Sequence, residues 1–174
     1  MMANAGCHTI IFGIESANED ILSQYNKNTK QHQMTTAIRL CKEHKIRTCG
    51  TFIIGLPDET EESIKETVRL AVTLDLDFAS FNIATPAIGT QLRSNMVERG
   101  WVDANEVENL ESSKQKVSSW LFHNLQHSQL LILQRAAVRS FYLRPSYLIR
   151  RIRNLRSVYE LKSSVIEAFY LLRG

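Results

Sequence analysis

Turn-forming residues are scarce in this chain. Only 3 prolines and 7 glycines stand among its 174 residues, which argues against a many-turned all-β protein and excludes a collagen-like one. Cysteine is scarce as well. Cys7, Cys41 and Cys49 are odd in number, far apart and in no metal-ligand spacing, so they read as reduced thiols and not as a disulfide framework. Long apolar runs are missing. The longest uncharged stretch, Val117 to Gln134, is interrupted by serine, histidine, asparagine and glutamine, and is too polar and too short to span a bilayer. The N-terminus lacks the basic region and apolar core of a signal peptide, so a cytoplasmic protein is expected. A strong charge of one sign is absent too: the net charge is +3, too mild to name a partner. What remains, 44% hydrophobic and 22% charged, is an ordinary globular composition.

The charge is unevenly spread. Residues 1–90 carry 8 basic and 11 acidic side chains, a net −3, and residues 91–174 carry 13 and 7, a net +6. The hydrophobic period changes at the same place. In the first part, the short apolar runs His8–Glu15, Ile46–Ile54 and Asp77–Ala84 predict three strands. Between them, Met34, Ala37, Ile38 and Cys41, and then Ile64, Val68, Ala71 and Val72, recur at helical spacing. Strands separated by helices of that length are parallel and joined by right-handed crossovers. Their apolar character on both faces predicts a sheet covered by helices. The second part predicts helices over Gln91–Arg99, Glu111–Tyr142 and Ser157–Leu172. The expected fold class is therefore α/β, with three parallel strands and crossover helices over 1–90 and an α-helical extension over 91–174.

Parallel α/β proteins bind ligands at the carboxyl ends of their strands. The three exits read Gly13-Ile14-Glu15-Ser16, Gly55-Leu56-Pro57-Asp58-Glu59-Thr60 and Thr85-Pro86-Ala87-Ile88-Gly89-Thr90. Each combines small residues, which let a flat ligand approach the backbone, with hydrogen-bonding groups. Plainer readings stand beside this one. Asp58, Glu59, Glu61 and Glu62 complement a helix dipole, Gly55 and Pro57 shape a turn, and Glu15 serves as a local cap or ion-pair partner. Residues 135–156 hold seven arginines and no acid. Among them, Arg150, Arg151 and Arg153 form a candidate anion site for RNA, an anionic membrane or an acidic partner, with intramolecular ion pairing as the plainer alternative.

The motifs FGIES, NKNT and FIIGLPDET, followed by a proline loop ending in Gly89-Thr90, occur in an order that resembles the radical S-adenosylmethionine superfamily. The resemblance extends to the branch with an N-terminal cobalamin-binding domain. It implies that the three strands are the fourth, fifth and sixth of a partial (βα)6 barrel. Residues 1–90 would then be the C-terminal half of that barrel, and Ser140 to Pro145 part of the helical extension behind it. By resemblance, Glu15 and Ser16 face the ribose and methionine of the cofactor, Gly55, Pro57 and Glu59 lie beside its adenine, and Thr85, Pro86 and Gly89 border substrate and cofactor. The family's usual glycine is replaced by Asp58, which tolerates positive φ less well. The CxxxCxxC loop that holds the family's [4Fe–4S] cluster is not in this sequence, and the spacing of the three cysteines does not substitute for it.

The resemblance thus implies a chain that starts in mid-barrel, as an excised piece, a truncated reading frame or the product of a degenerate gene would. The parent enzyme would cleave S-adenosylmethionine to a 5′-deoxyadenosyl radical for hydrogen abstraction or methyl transfer on an unknown substrate, with cobalamin as a further cofactor. This chain alone is expected to be inactive. A half barrel leaves a strand edge open, so a dimer, the missing N-terminal half or a helical tail is expected to cover it. The alternative function is a non-catalytic module that docks on RNA or a partner protein through its basic tail.

Overall fold

The computed structural model describes residues 1–25, 27, 29–101, 121–122 and 125–153. A 3-10 turn at Ala3–Ala5 leads into β1 (Thr9–Glu15), α1 (Glu19–Gln24), α2 (Gln31–Glu43), β2 (Arg47–Ile54), α3 (Glu61–Thr73), β3 (Phe78–Ile83) and α4 (Gln91–Glu98). A hairpin of β4 (Leu121–Phe122) and β5 (Leu125–Gln126) precedes α5 (His127–Tyr142) and α6 (Pro145–Arg153). Strands β1, β2 and β3 form one sheet in that order, and both pairings are parallel.

Local chemistry sets the helix starts. Asn18 caps α1 by accepting from the N–H groups of Asp20 and Ile21. Thr60 and Ser63 form a reciprocal capping box at the start of α3. In α2 the helical spacing buries Met34, Ile38 and Cys41, and in α3 it buries Ile64, Leu70 and Ala71.

The strands bury alternate residues. On β2, Gly50, Phe52 and Ile54 are buried, whereas Cys49, Thr51 and Ile53 are half-buried. Phe52 stacks on Phe81 of β3 with ring centroids 5.1 Å apart, and Phe81 meets Phe141 of α5 edge-on at 6.4 Å. Ile14, Ile38, Ile64, Ala71 and Leu130 join the same core. Each large apolar side chain buried there contributes about 1.5–3 kcal/mol. On the opposite face Ile11 is 68% exposed, and its register neighbours Cys49 and Phe78 are half-buried. The predicted helical cover on both faces is thus found on only one among the described residues. Ile11, Ile53 and Phe78 make the strands look doubly buried in sequence, although among the described residues no helix covers this second face.

The helical extension also differs from its sequence pattern. The helix predicted from Glu111 begins at His127, where Gln126 and Gln129 cap it reciprocally, and residues 121–122 and 125–126 pair as antiparallel strands. Residues 111–120 and the helix predicted at Ser157–Leu172 lie outside the described residues. Helix α6 starts at Pro145, a first-turn position where the missing N–H costs nothing. Side chains of α5 finish the outer edge of β3. Tyr142 Oη accepts from Ala79 N (3.1 Å) and donates to Ala79 O (2.8 Å), and Gln134 Nε2 donates to Phe81 O (2.7 Å). Among the described residues, no helix is long and apolar enough to cross a membrane.

Candidate functional site

Because the strands are parallel, Glu15, Gly55 and Ala84 leave the sheet at the same end. The β1 exit is distorted. Its register with β2 slips between Gly13 and Glu15, and Glu15 takes φ 67°. Ser16 N donates to Ile14 O at 3.0 Å, closing a three-residue turn around Glu15. A non-glycine residue held at positive φ costs on the order of 1–3 kcal/mol and needs its surroundings to enforce it. Here the turn re-aims the carboxylate. Glu15 Oε1 accepts from Lys27 Nζ at 2.8 Å, and both side chains are partly exposed, at 21% and 30%. The pair lies over the α-carbon of Gly13: a Cβ at that position would stand 2.7 Å from Glu15 Oε1 and 2.9 Å from Lys27 Nζ. With glycine at this position, the two charged groups occupy that space.

Behind the turn lies a buried polar network. Ser16 and Glu59 are each 1% exposed. Glu59 Oε2 accepts from Gly55 N (2.8 Å) and Leu56 N (3.0 Å), and Glu59 Oε1 accepts from the Ser16 hydroxyl (3.2 Å). Asn18 N donates to Ser16 Oγ, and Ala17 N donates to Thr67 Oγ1 of α3. The β1 exit, the β2 exit and α3 are thereby tied together. Burial pushes the Glu59 carboxyl above its ordinary range, against the opposing pull of its hydrogen bonds.

The other predicted residues are placed as follows. Gly55 has φ 84°, and its α-carbon faces Leu130 of α5, whose Cδ1 would stand 2.7 Å from an added Cβ. Pro57 is buried in the same turn. Asp58 takes φ 68°, the conformation in which the family's usual glycine is at ease, and its carboxylate accepts from Arg99 Nη1 at 2.7 Å. On the β3 exit Thr85 and Gly89 are exposed and Pro86 is buried. The structure therefore places Glu15 and Lys27 on the open side, Ser16, Glu59 and the Gly55 turn behind them, and Thr85, Pro86 and Gly89 on a neighbouring loop. Lys27 belongs to the NKNT motif and was given no role from sequence. Its signal was a cation at the foot of a strand exit that also carries a carboxylate.

Arg150, Arg151 and Arg153 are remote from this end. Arg150 pairs with Asp75, which lies between α3 and β3 at the other end of the sheet, and Arg150 Nη2 donates to Leu76 O at 2.8 Å. Lys42 holds the second Asp75 oxygen at 2.7 Å.

The cysteines do not fit an iron–sulfur cluster. Cys41 is buried on α2, Cys49 lies within β2 and Cys7 precedes β1. Burial pushes the thiols of Cys41 and Cys49 up, away from the thiolate that iron requires. Among the described residues, no cluster of three or more His, Cys, Asp or Glu side chains could hold a metal ion. The Glu15–Lys27 pair above Gly13 instead presents a carboxylate that can accept from hydroxyls and an ammonium that can donate to a carboxylate.

The sequence model of the Radical SAM superfamily matches residues 1–71, which hold the β1 and β2 exits but not the β3 exit. Residues 1–71 thus belong to the radical SAM superfamily. It is 38% identical over 157 residues to an uncharacterized methyltransferase of Pyrococcus horikoshii, a match that covers 87% of this chain and 32% of that protein. Its fold is similar to that of a radical S-adenosylmethionine methyltransferase from Kitasatospora setae solved with cobalamin and a [4Fe–4S] cluster bound (TM-score 0.51, 23% identity, 56% of this chain and 20% of that one). Coproporphyrinogen III oxidase from Escherichia coli, described as a radical SAM enzyme, is also similar (TM-score 0.55, 14% identity, 82% of this chain and 28% of that one). The chain thus spans about a third or less of the length of each of these three proteins. Its three parallel strands and following helices are part of the radical SAM barrel fold.

Proposed function

We propose that this chain forms the nucleoside-binding wall of an S-adenosylmethionine site in a radical SAM methyltransferase-like enzyme, and that the cluster-holding cysteines of the working site come from another segment. The observation that carries this reading is the Glu15–Lys27 pair, turned by a positive-φ residue onto the open side of the strand exits above Gly13. Glu15 would accept from the ribose hydroxyls. Lys27, with three donors and one spent on Glu15, would meet the methionine carboxylate. Ser16 and Glu59 hold the turn that aims Glu15, and Gly55 and Pro57 shape the adjoining loop. Thr85, Pro86 and Gly89 would border the substrate side. S-adenosylmethionine beside a reduced [4Fe–4S] cluster supplies a carbon radical or a methyl group, the latter with cobalamin in the branch this chain resembles.

The chain by itself is expected to be inactive, because its own cysteines are unsuited to the cluster. Anaerobic reconstitution with iron and sulfide should give neither a [4Fe–4S] signal nor 5′-deoxyadenosine. Equilibrium dialysis should detect weak S-adenosylmethionine binding that Glu15→Ala abolishes without lowering Tm. A cluster signal with cofactor cleavage overturns the dependence on another segment, and undiminished binding by Glu15→Ala overturns the role of the pair. The second reading, a docking module reaching RNA or protein through Arg150, Arg151 and Arg153, has less support because Arg150 is already engaged with Asp75 and the Leu76 carbonyl.

A further inference from the structure

Helix α6 turns its apolar side outward. Tyr147 is 9% exposed and packs on Phe141 and Tyr142, and Arg150 reaches inward to Asp75 and Leu76, so these two side chains define the inner face. At 100° per residue, Leu148, Ile152 and Ile149 fall within about 100° of arc on the opposite side. They are 38%, 65% and 50% exposed. Arg151 and Arg153 stand at the two rims of that arc. An outward helix face of branched aliphatic residues bordered by arginines is the reverse of a water-facing helix.

We propose that this face of α6 docks the protein on a membrane surface containing anionic phospholipid. Lipid accounts for both parts of the pattern: the acyl boundary takes the aliphatic stripe, and the exposed Arg153 at its rim meets the headgroup phosphates. RNA would meet the arginines but gain nothing from three exposed aliphatic side chains. A second copy packed stripe to stripe would bring arginine rims together, and residues 135–156 contain no acid to separate them. The helix lies on the surface and does not span it, since nine residues rise only about 14 Å. This inference is independent of the cofactor site, which lies at the other end of the sheet.

The test is co-sedimentation of the full chain with vesicles of phosphatidylcholine containing roughly 30% phosphatidylglycerol, compared with phosphatidylcholine alone. Binding should be at least about tenfold tighter to the anionic vesicles. It should fall about fivefold in Arg153→Gln and at least about tenfold in an Ile149→Ser/Ile152→Ser double variant with an unchanged far-UV spectrum. An Ile152→Trp variant should show a blue-shifted emission only with anionic vesicles, above the background of the 2 native tryptophans. Equal binding to neutral vesicles, or none to either, overturns the proposal. So does RNA binding that the serine variant retains in place of lipid binding, or a concentration-dependent dimer that the serine variant abolishes. Emission from the introduced indole that is already shielded without lipid would show that the chain covers this face itself, and would overturn it too.

Discussion

Glu59 offers the sharpest test of how the strand exits are held. Replacing it with alanine removes the acceptor of Gly55 N, Leu56 N and the Ser16 hydroxyl at once. The side chain is 1% exposed, so water does not readily take its place. Each orphaned buried donor costs about 1–3 kcal/mol. Ser16 keeps a neighbour in Thr67 Oγ1, 3.3 Å away, which leaves the two backbone N–H groups as the main loss. Part of that loss is offset, because the desolvation that raises the Glu59 carboxyl is relieved. The expected net cost of Glu59→Ala is about 3 kcal/mol, or roughly 6–12 °C in Tm for a chain of this size.

Glu59→Gln separates the acceptor from the charge. The amide oxygen still accepts from both N–H groups, so at neutral pH the expected cost is about 1 kcal/mol. The pH dependence has a definite sign. A carboxyl whose folded pKa is raised contributes stability that is complete below the ordinary carboxylate range and is lost as pH rises through the folded value. The advantage of the native chain over Glu59→Gln should therefore shrink from acid toward neutral pH. Urea unfolding followed by far-UV circular dichroism across that range measures both effects. Equal losses for Ala and Gln, or an alanine loss below about 1 kcal/mol, would refute the assignment of Glu59 as the acceptor that holds the exits.

Three further outcomes are expected. Gly13→Ala should weaken S-adenosylmethionine binding in equilibrium dialysis by displacing the Glu15–Lys27 pair, while Tm holds or rises slightly, since alanine restricts the unfolded chain; loss of stability with binding intact would contradict the geometry. Partial burial opposes ionisation of Asp75, but the hydrogen bond from Lys42 and the charge of Arg150 outweigh it and hold the carboxyl below its ordinary range. Its contribution is present above that range and lost as pH falls through the folded value, so Asp75→Asn should flatten the acid side of the stability curve by less than about 1 kcal/mol, because the side chain is 57% exposed. Tyr142→Phe leaves Ala79 N and O without their phenolic partner and should cost about 1–2 kcal/mol, with faster amide exchange at Ala79 in hydrogen-exchange measurements.

The strands were readable to within about a residue because apolar runs ended at glycine or acid and were spaced by amphipathic helices. The parallel order followed from chain length between them. The open face was not readable: Ile11, Cys49 and Phe78 are apolar whether a helix or another wall of the structure faces them. Helix α6 was missed because Pro145 reads equally as a stop or as a first-turn residue. Asp58 shows a partial success. Its replacement of glycine marked the turn as unusual, and the structure keeps the positive φ while Arg99, forty-one residues away, pairs with the carboxylate. Such a partner leaves no trace in local sequence. Glu59 sits among four acids at a helix start, and only the third dimension separates it, buried under Ser16 and the Gly55 turn, from its exposed neighbours.

The sheet's two outer edges differ in a way that bears on the site. On β3, Tyr142 and Gln134 of α5 satisfy backbone groups that another strand would otherwise claim. On β1, no further strand pairs with the outer edge among the described residues. That same strand carries Gly13 and ends in the turn that presents Glu15. A strand added beside β1 would complete its hydrogen bonding and, at the same end, raise a wall next to the Glu15–Lys27 pair. Closing the sheet at β1 and walling in the Glu15–Lys27 pair are then the same structural event. This is why the strained Glu15 turn is already assembled in this chain while the side of the pair next to β1 stays uncovered among the described residues.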